Sequence, residues 1–66
     1  MKVSLNGQEV PVSGEISVAS LIAERKINPA AAVVEYNGAI LAQENWQGTM
    51  LKENDCLEIV SFVGGG

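Results

Sequence analysis

A chain of 66 residues with eight acidic, four basic and no histidine side chains carries a net charge of −4. Phosphate backbones and anionic membrane surfaces repel such a chain, which argues against nucleic acid and membrane as partners. The missing imidazole removes the commonest general base and metal ligand, so no zinc site is expected. The single cysteine, Cys56, excludes an internal disulfide. A chain this short holds one core but cannot wall off a deep ligand pocket of roughly 300 Å³ or more. Any chemistry is therefore expected to be completed by a partner.

The opening Met1 to Gly7 lacks the apolar stretch of a signal peptide, and no apolar run approaches the ~20 residues that span a bilayer. A cytoplasmic address is the expectation. The acidic residues are scattered, which describes a solvated surface, with an acidic docking face as the alternative.

Met1, Val3 and Leu5 alternate with Lys2 and Ser4, and Asn6-Gly7 follows. That pair supplies the positive φ angles of a tight type I′ hairpin turn, leading to a second, half-buried strand with Val10 and Val12. Pro11 places this strand at a sheet edge. Ser17 is a good N-cap for a helix from Val18 to about Lys26, with Ile16 stapling onto Leu21. Val18, Leu21, Ile22 and the stem of Arg25 form its apolar stripe, Arg25 and Lys26 suit the negative end of its dipole, and Asn28-Pro29 stops it.

Ala32 to Tyr36 reads as a third strand, and Asn37-Gly38 repeats the hairpin signal before Ala39 to Leu41. Gln43 to Lys52 is less regular, with Trp46 as its large anchor and Gly48 a turn. Lys52 to Asp55 is a polar turn in which Asn54 suits the left-handed region. Cys56 to Val63 is the strongest strand. The order of strands and helix gives an α+β domain, with one helix packed on one face of a mixed sheet. The expected core is Val3, Leu5, Leu21, Ile22, Val34, Leu57 and Ile59.

The last strand runs into Gly64-Gly65-Gly66. Glycine neither packs nor resists fraying, so the triplet reads either as a loose end or as backbone that must approach something closely. Cys56, with no histidine in the chain and no base adjacent in sequence, reads as ordinary packing, because free cysteine is among the more buried residues. Trp46 and Tyr36 read as packing too.

Taken together, Met1 to Gly7, the helix start Ser17 to Leu21, the segment Val33 to Gly38, Trp46 and the ending Glu58 to Gly66 resemble the ThiS family of sulfur carriers. The resemblance covers essentially the whole length. Where that family often has Pro-Arg after the second Asn-Gly turn, this chain has Ala42-Gln43. Asn54 stands where many relatives carry glycine.

The resemblance implies a ubiquitin-like β-grasp domain over residues 1–63, with residues 64–66 as a flexible glycine tail. It implies that the chain is a protein co-substrate and not an enzyme. The Gly66 carboxylate would be adenylated by an E1-like, ThiF-type enzyme using MgATP, then converted to a thiocarboxylate. Sulfur would come from a donor such as a cysteine desulfurase and pass to a ThiG-type thiazole synthase in thiamine biosynthesis. Gly64 and Gly65, without Cβ atoms, would let the tail thread the activating site. No cofactor is bound by the carrier, which is expected to be a monomer when free. On a β-grasp fold Leu57 and Ile59 face the helix, while Phe62, Val60 and Glu58 face outward beside Val33 and Glu35, a candidate docking patch. Two other readings stand beside this one: the small subunit of molybdopterin synthase, and a β-grasp interaction module that is never activated.

Overall fold

The computed structural model describes residues 1–62. Strands β1 (Lys2–Leu5) and β2 (Gln8–Pro11) form a hairpin, helix α1 (Val18–Glu24) crosses the sheet, and β3 (Ala32–Tyr36), β4 (Ala39–Leu41) and β5 (Cys56–Ser61) complete it. Short 3-10 turns at Pro29–Ala31 and Gln43–Asn45 join these elements. The sheet order is β2-β1-β5-β3-β4. The last strand thus lies at the centre, parallel to β1 and antiparallel to β3. This is the β-grasp arrangement.

Both hairpins turn as their sequences require. Asn6 and Gly7 have φ of 52° and 82°, and Asn37 and Gly38 have 51° and 91°. These are type I′ values, whose twist matches that of the flanking strands. Pro11 lies on the edge strand β2, where its missing N–H breaks no ladder.

Ser17 caps α1, its hydroxyl oxygen accepting the Ser20 N–H at 3.1 Å. The helix ends earlier than its sequence suggests. Lys26 has left-handed backbone (φ 59°), and its N–H donates to Ala23 O at 3.0 Å while Ile27 N–H donates to Ile22 O at 3.1 Å. This pair of bonds is a Schellman motif, with lysine where glycine is usual. Arg25 is therefore the C-cap and Lys26 lies beyond the helix. Both side chains are exposed, so the apolar stripe is Val18, Leu21 and Ile22 alone.

The core lies between α1 and the inner face of the sheet. Val3, Val18, Leu21, Ile22, Val34, Leu57 and Ile59 are buried, joined by Val12, Trp46 and Leu51. Leu5 is only partly buried and packs against this cluster. Trp46 anchors the irregular segment, its indole N–H donating to Leu41 O at 2.9 Å. Thr49 to Leu51 then reaches the start of the helix through Val18 N–H to Thr49 O and Leu51 N–H to Ile16 O, both 2.9 Å. In place of a deep pocket there is an open groove of about 600 Å³ between α1 and the second 3-10 turn, walled by Ile22, Ile27, Pro29 and Trp46. No helix of the described residues is long and apolar enough to cross a membrane.

Candidate functional site

Alternation along β5 divides its side chains between two environments. Leu57 and Ile59 are buried beneath the helix, whereas Glu58 and Val60 are exposed on the opposite, uncovered face. The antiparallel register with β3 sets Val33 against Val60 and Glu35 against Glu58. On the far side of β3, Ile40 of β4 pairs with Glu35. The result is one continuous outward strip of apolar and acidic side chains.

Phe62 extends this strip. Its N–H donates to Ala31 O at 2.7 Å, carrying the ladder one bond past β5, and its side chain is 59% exposed. Val60 and Ile40 are 55% and 71% exposed. A row of large apolar groups in water on a domain this small is the kind of surface that marks an interaction site. The structure thus brings together Val33, Glu35, Glu58, Val60 and Phe62, the residues singled out from sequence, and adds Ile40, which the alternation of β4 could have supplied. Gly64, Gly65 and Gly66 lie outside the described residues.

Cys56 does not pack in the core. It is exposed, at the start of β5 and paired with Ser4 of β1. The strand parity that turns Leu57 inward turns Cys56 outward, and this local rule overrides the general tendency of cysteine to be buried. Among the described residues no three histidine, cysteine, aspartate or glutamate side chains gather in a way that could hold a metal ion.

Beneath one end of the strip lies a polar cluster that the sequence reading missed. Asp55 is only 7% exposed and accepts from the Tyr36 hydroxyl at 2.7 Å, the Lys52 N–H at 2.8 Å and the Asn37 amide at 3.2 Å. Burial pushes the Asp55 carboxyl up, but the bonds from Tyr36, Lys52 and Asn37 outweigh it and hold the carboxyl below its ordinary range. The hydrogen bond to Asp55 in turn pushes the Tyr36 hydroxyl up, with burial and the nearby negative charge adding to it. Three donors around one carboxylate lock the β3–β4 hairpin to the entry of β5, the strand that carries the strip.

The ThiS family model matches residues 3–66. The chain belongs to the ThiS family. Its fold superimposes on the crystal structure of the thiamine biosynthesis protein ThiS from Geobacter metallireducens with a TM-score of 0.84, at 32% identity and over 100% of both chains. It is 32% identical to the sulfur carrier protein ThiS of Bacillus subtilis, over 97% of this chain and 98% of that one. It is also 33% identical, over its full length, to part of the thiazole synthase of Paramagnetospirillum magneticum, of which it spans only 20%. A ThiS-like segment is thus built into at least one thiazole synthase chain.

Proposed function

We propose that this ThiS-family chain is a sulfur carrier of thiamine biosynthesis whose working group is the Gly66 carboxylate. The family match through residue 66, with the three glycines inside it, carries this reading. A carboxylate is a poor electrophile. Attack of its oxygen on the α-phosphorus of MgATP, in the active site of an adenylating enzyme, releases pyrophosphate and makes an acyl adenylate with AMP as leaving group. The outer sulfur of a persulfide then displaces AMP to give an acyl disulfide, and a thiol attacks the donor's own sulfur in it, breaking the S–S bond, forming a new disulfide and releasing the thiocarboxylate. The thiocarboxylate is a soft nucleophile suited to thiazole assembly. The carrier supplies the acyl group and the recognition surface, and the partners supply the catalysis.

The outward strip is the surface on which such partners would dock, since it continues directly toward the tail through Phe62. Its chemistry suggests what they bring. Glu35 and Glu58 sit side by side, and among the described residues the one ion pair is Lys2 with Glu9. A basic side chain from the partner would relieve the paired charges while Val33, Val60 and Phe62 supply apolar contact. The thiazole synthase containing a ThiS-like segment supports an enzyme of that kind as one partner.

Intact mass of the carrier after incubation with the cognate adenylating enzyme, MgATP and a persulfide donor tests the reading. The expected product carries sulfur in place of one oxygen at the C-terminus. A chain lacking Gly66 should stay unmodified, because its carboxyl carbon is withdrawn by up to about 3.6 Å of extended chain. Reaction requires approach within roughly 3–3.5 Å. Normal thiocarboxylate formation by the shortened chain rejects the role of Gly66, and no adenylation of the full chain rejects the carrier.

A further inference from the structure

Two asparagine side chains are bonded against β5, and each is followed by glycine. Asn6 accepts the Ile59 N–H at 2.7 Å on Oδ1 and donates to Ile59 O at 3.2 Å from Nδ2, so its amide acts as one more peptide unit of β1. Asn37 is held at both ends of its amide on the β3 side, by one backbone and one side-chain partner. Its Oδ1 accepts the Cys56 N–H at 2.8 Å, and its Nδ2 donates to Asp55 Oδ1 at 3.2 Å.

Asparagine before glycine is chemically the most labile asparagine context. The glycine nitrogen, with no Cβ on its own residue to hinder approach, attacks the asparagine Cγ and loses its proton. The Cγ–Nδ2 bond breaks and ammonia leaves. Water then opens the succinimide to aspartate or isoaspartate, with no oxidation or reduction. The attack requires the side chain to turn back along its own backbone. Neither asparagine can do so while both ends of its amide are bonded across to the residues around β5.

We propose that Asn6 and Asn37 are latent deamidation sites, held shut by β5 and opened only when their hairpin leaves it. The two differ in consequence. At Asn37 the product replaces an N–H donor with a carboxylate oxygen facing Asp55, itself 7% exposed, and two opposed carboxylates keep the turn from closing again. At Asn6 the new oxygen meets the neutral backbone carbonyl of Ile59, a smaller conflict than one between two charges. Modification at Asn37 is thus a one-way record that the β3–β4 hairpin has opened.

The test follows deamidation of the full chain by peptide mapping in mildly alkaline buffer, folded and in denaturing urea. With two hydrogen bonds to break at each site, both asparagines should convert at least about tenfold more slowly in the folded chain. Equal folded and unfolded rates at either site overturn the protection. Asn37→Asp should lower the melting temperature more than Asn6→Asp. The exchange Asn37→Asp with Asp55→Asn, which restores a donor opposite a single carboxylate, should recover much of the loss. Failure of that exchange to recover stability, or an Asn37→Asp chain that melts like the parent, overturns the one-way character of the site.

Discussion

Glu35 of β3 and Glu58 of β5 are direct cross-strand partners, both exposed and, among the described residues, with no basic side chain paired to either. Like charges in this position oppose the pairing of β3 with β5, by about 0.2–1 kcal/mol. Glu35→Gln or Glu58→Gln should therefore stabilise the free carrier. The gain should shrink with added salt, which already screens exposed charges. Binding to the adenylating enzyme should weaken in the same variants and lose part of its salt dependence. Melting curves at low and high salt and a binding isotherm check the two halves. A variant that loses stability at low salt contradicts the repulsion, and one that gains stability and binds normally contradicts docking through this pair.

Asp55 gives the fold a defined pH window. Its carboxyl is held below the ordinary value of about 3.9, so the unfolded chain takes up the proton first as pH falls, and the stability it contributes is lost through and below that range. The Tyr36 hydroxyl is pushed above its ordinary value of about 10, so its contribution is complete below that pH and is lost as pH rises through the folded value. The pair therefore stabilises most between about 4 and 10. Chemical denaturation across pH should show a plateau bounded by an acid and an alkaline limb. Asp55→Asn should lower the plateau and flatten the acid limb, and Tyr36→Phe should remove the alkaline one. An unchanged acid limb in Asp55→Asn would assign it to other carboxylates.

How legible these features were depended on how local their causes are. The Asn-Gly turns, the Ser17 cap and the strand Ala32–Tyr36 follow from residues adjacent in sequence, and each stands where its own residues put it. The outward placement of Glu58 and Val60 follows from strand parity once Leu57 is inside. Asp55 looked like part of a solvated turn because its donors Tyr36 and Asn37 are 19 and 18 residues away. Asn6 and Asn37 were readable as turn formers, but their amide bonds to β5 exist only once the sheet has its order. The helix end misled because lysine occupies a conformation for which glycine is the usual signal.

Lys26 supplies its own prediction. A left-handed backbone costs a residue with a Cβ roughly 1–2 kcal/mol, offset partly by the extra chain entropy that glycine loses on folding. Lys26→Gly should raise stability by up to about 1 kcal/mol. In a domain of this size that corresponds to a rise in melting temperature of up to about 4–8 °C. Lys26→Val, with a branched Cβ in the same conformation, should move stability the other way. Equal melting temperatures for the two variants would show that this residue does not hold left-handed backbone in solution.

The two faces of β5 should separate folding from recognition. Ile59 is 7% exposed against 59% for Phe62, although the two residues are only three apart on one extended segment. Ile59→Ala removes buried methyl groups from beneath the helix and should cost about 2–5 kcal/mol. That is a large fraction of the roughly 3–10 kcal/mol expected of a domain this small. Phe62→Ala leaves no enclosed cavity, because Phe62 is more than half exposed, and the Phe62 N–H bond to Ala31 O survives the change. Its melting temperature should stay close to that of the parent. Its affinity for the proposed adenylating enzyme should fall, since a large aromatic buried in an interface can account for about 2 kcal/mol or more of binding, about a thirtyfold change in Kd. Calorimetric melting and titration on the same two proteins distinguish the roles. A Phe62→Ala chain that unfolds easily would make the ring part of the core, and one that folds and binds normally would move the docking surface away from the strip.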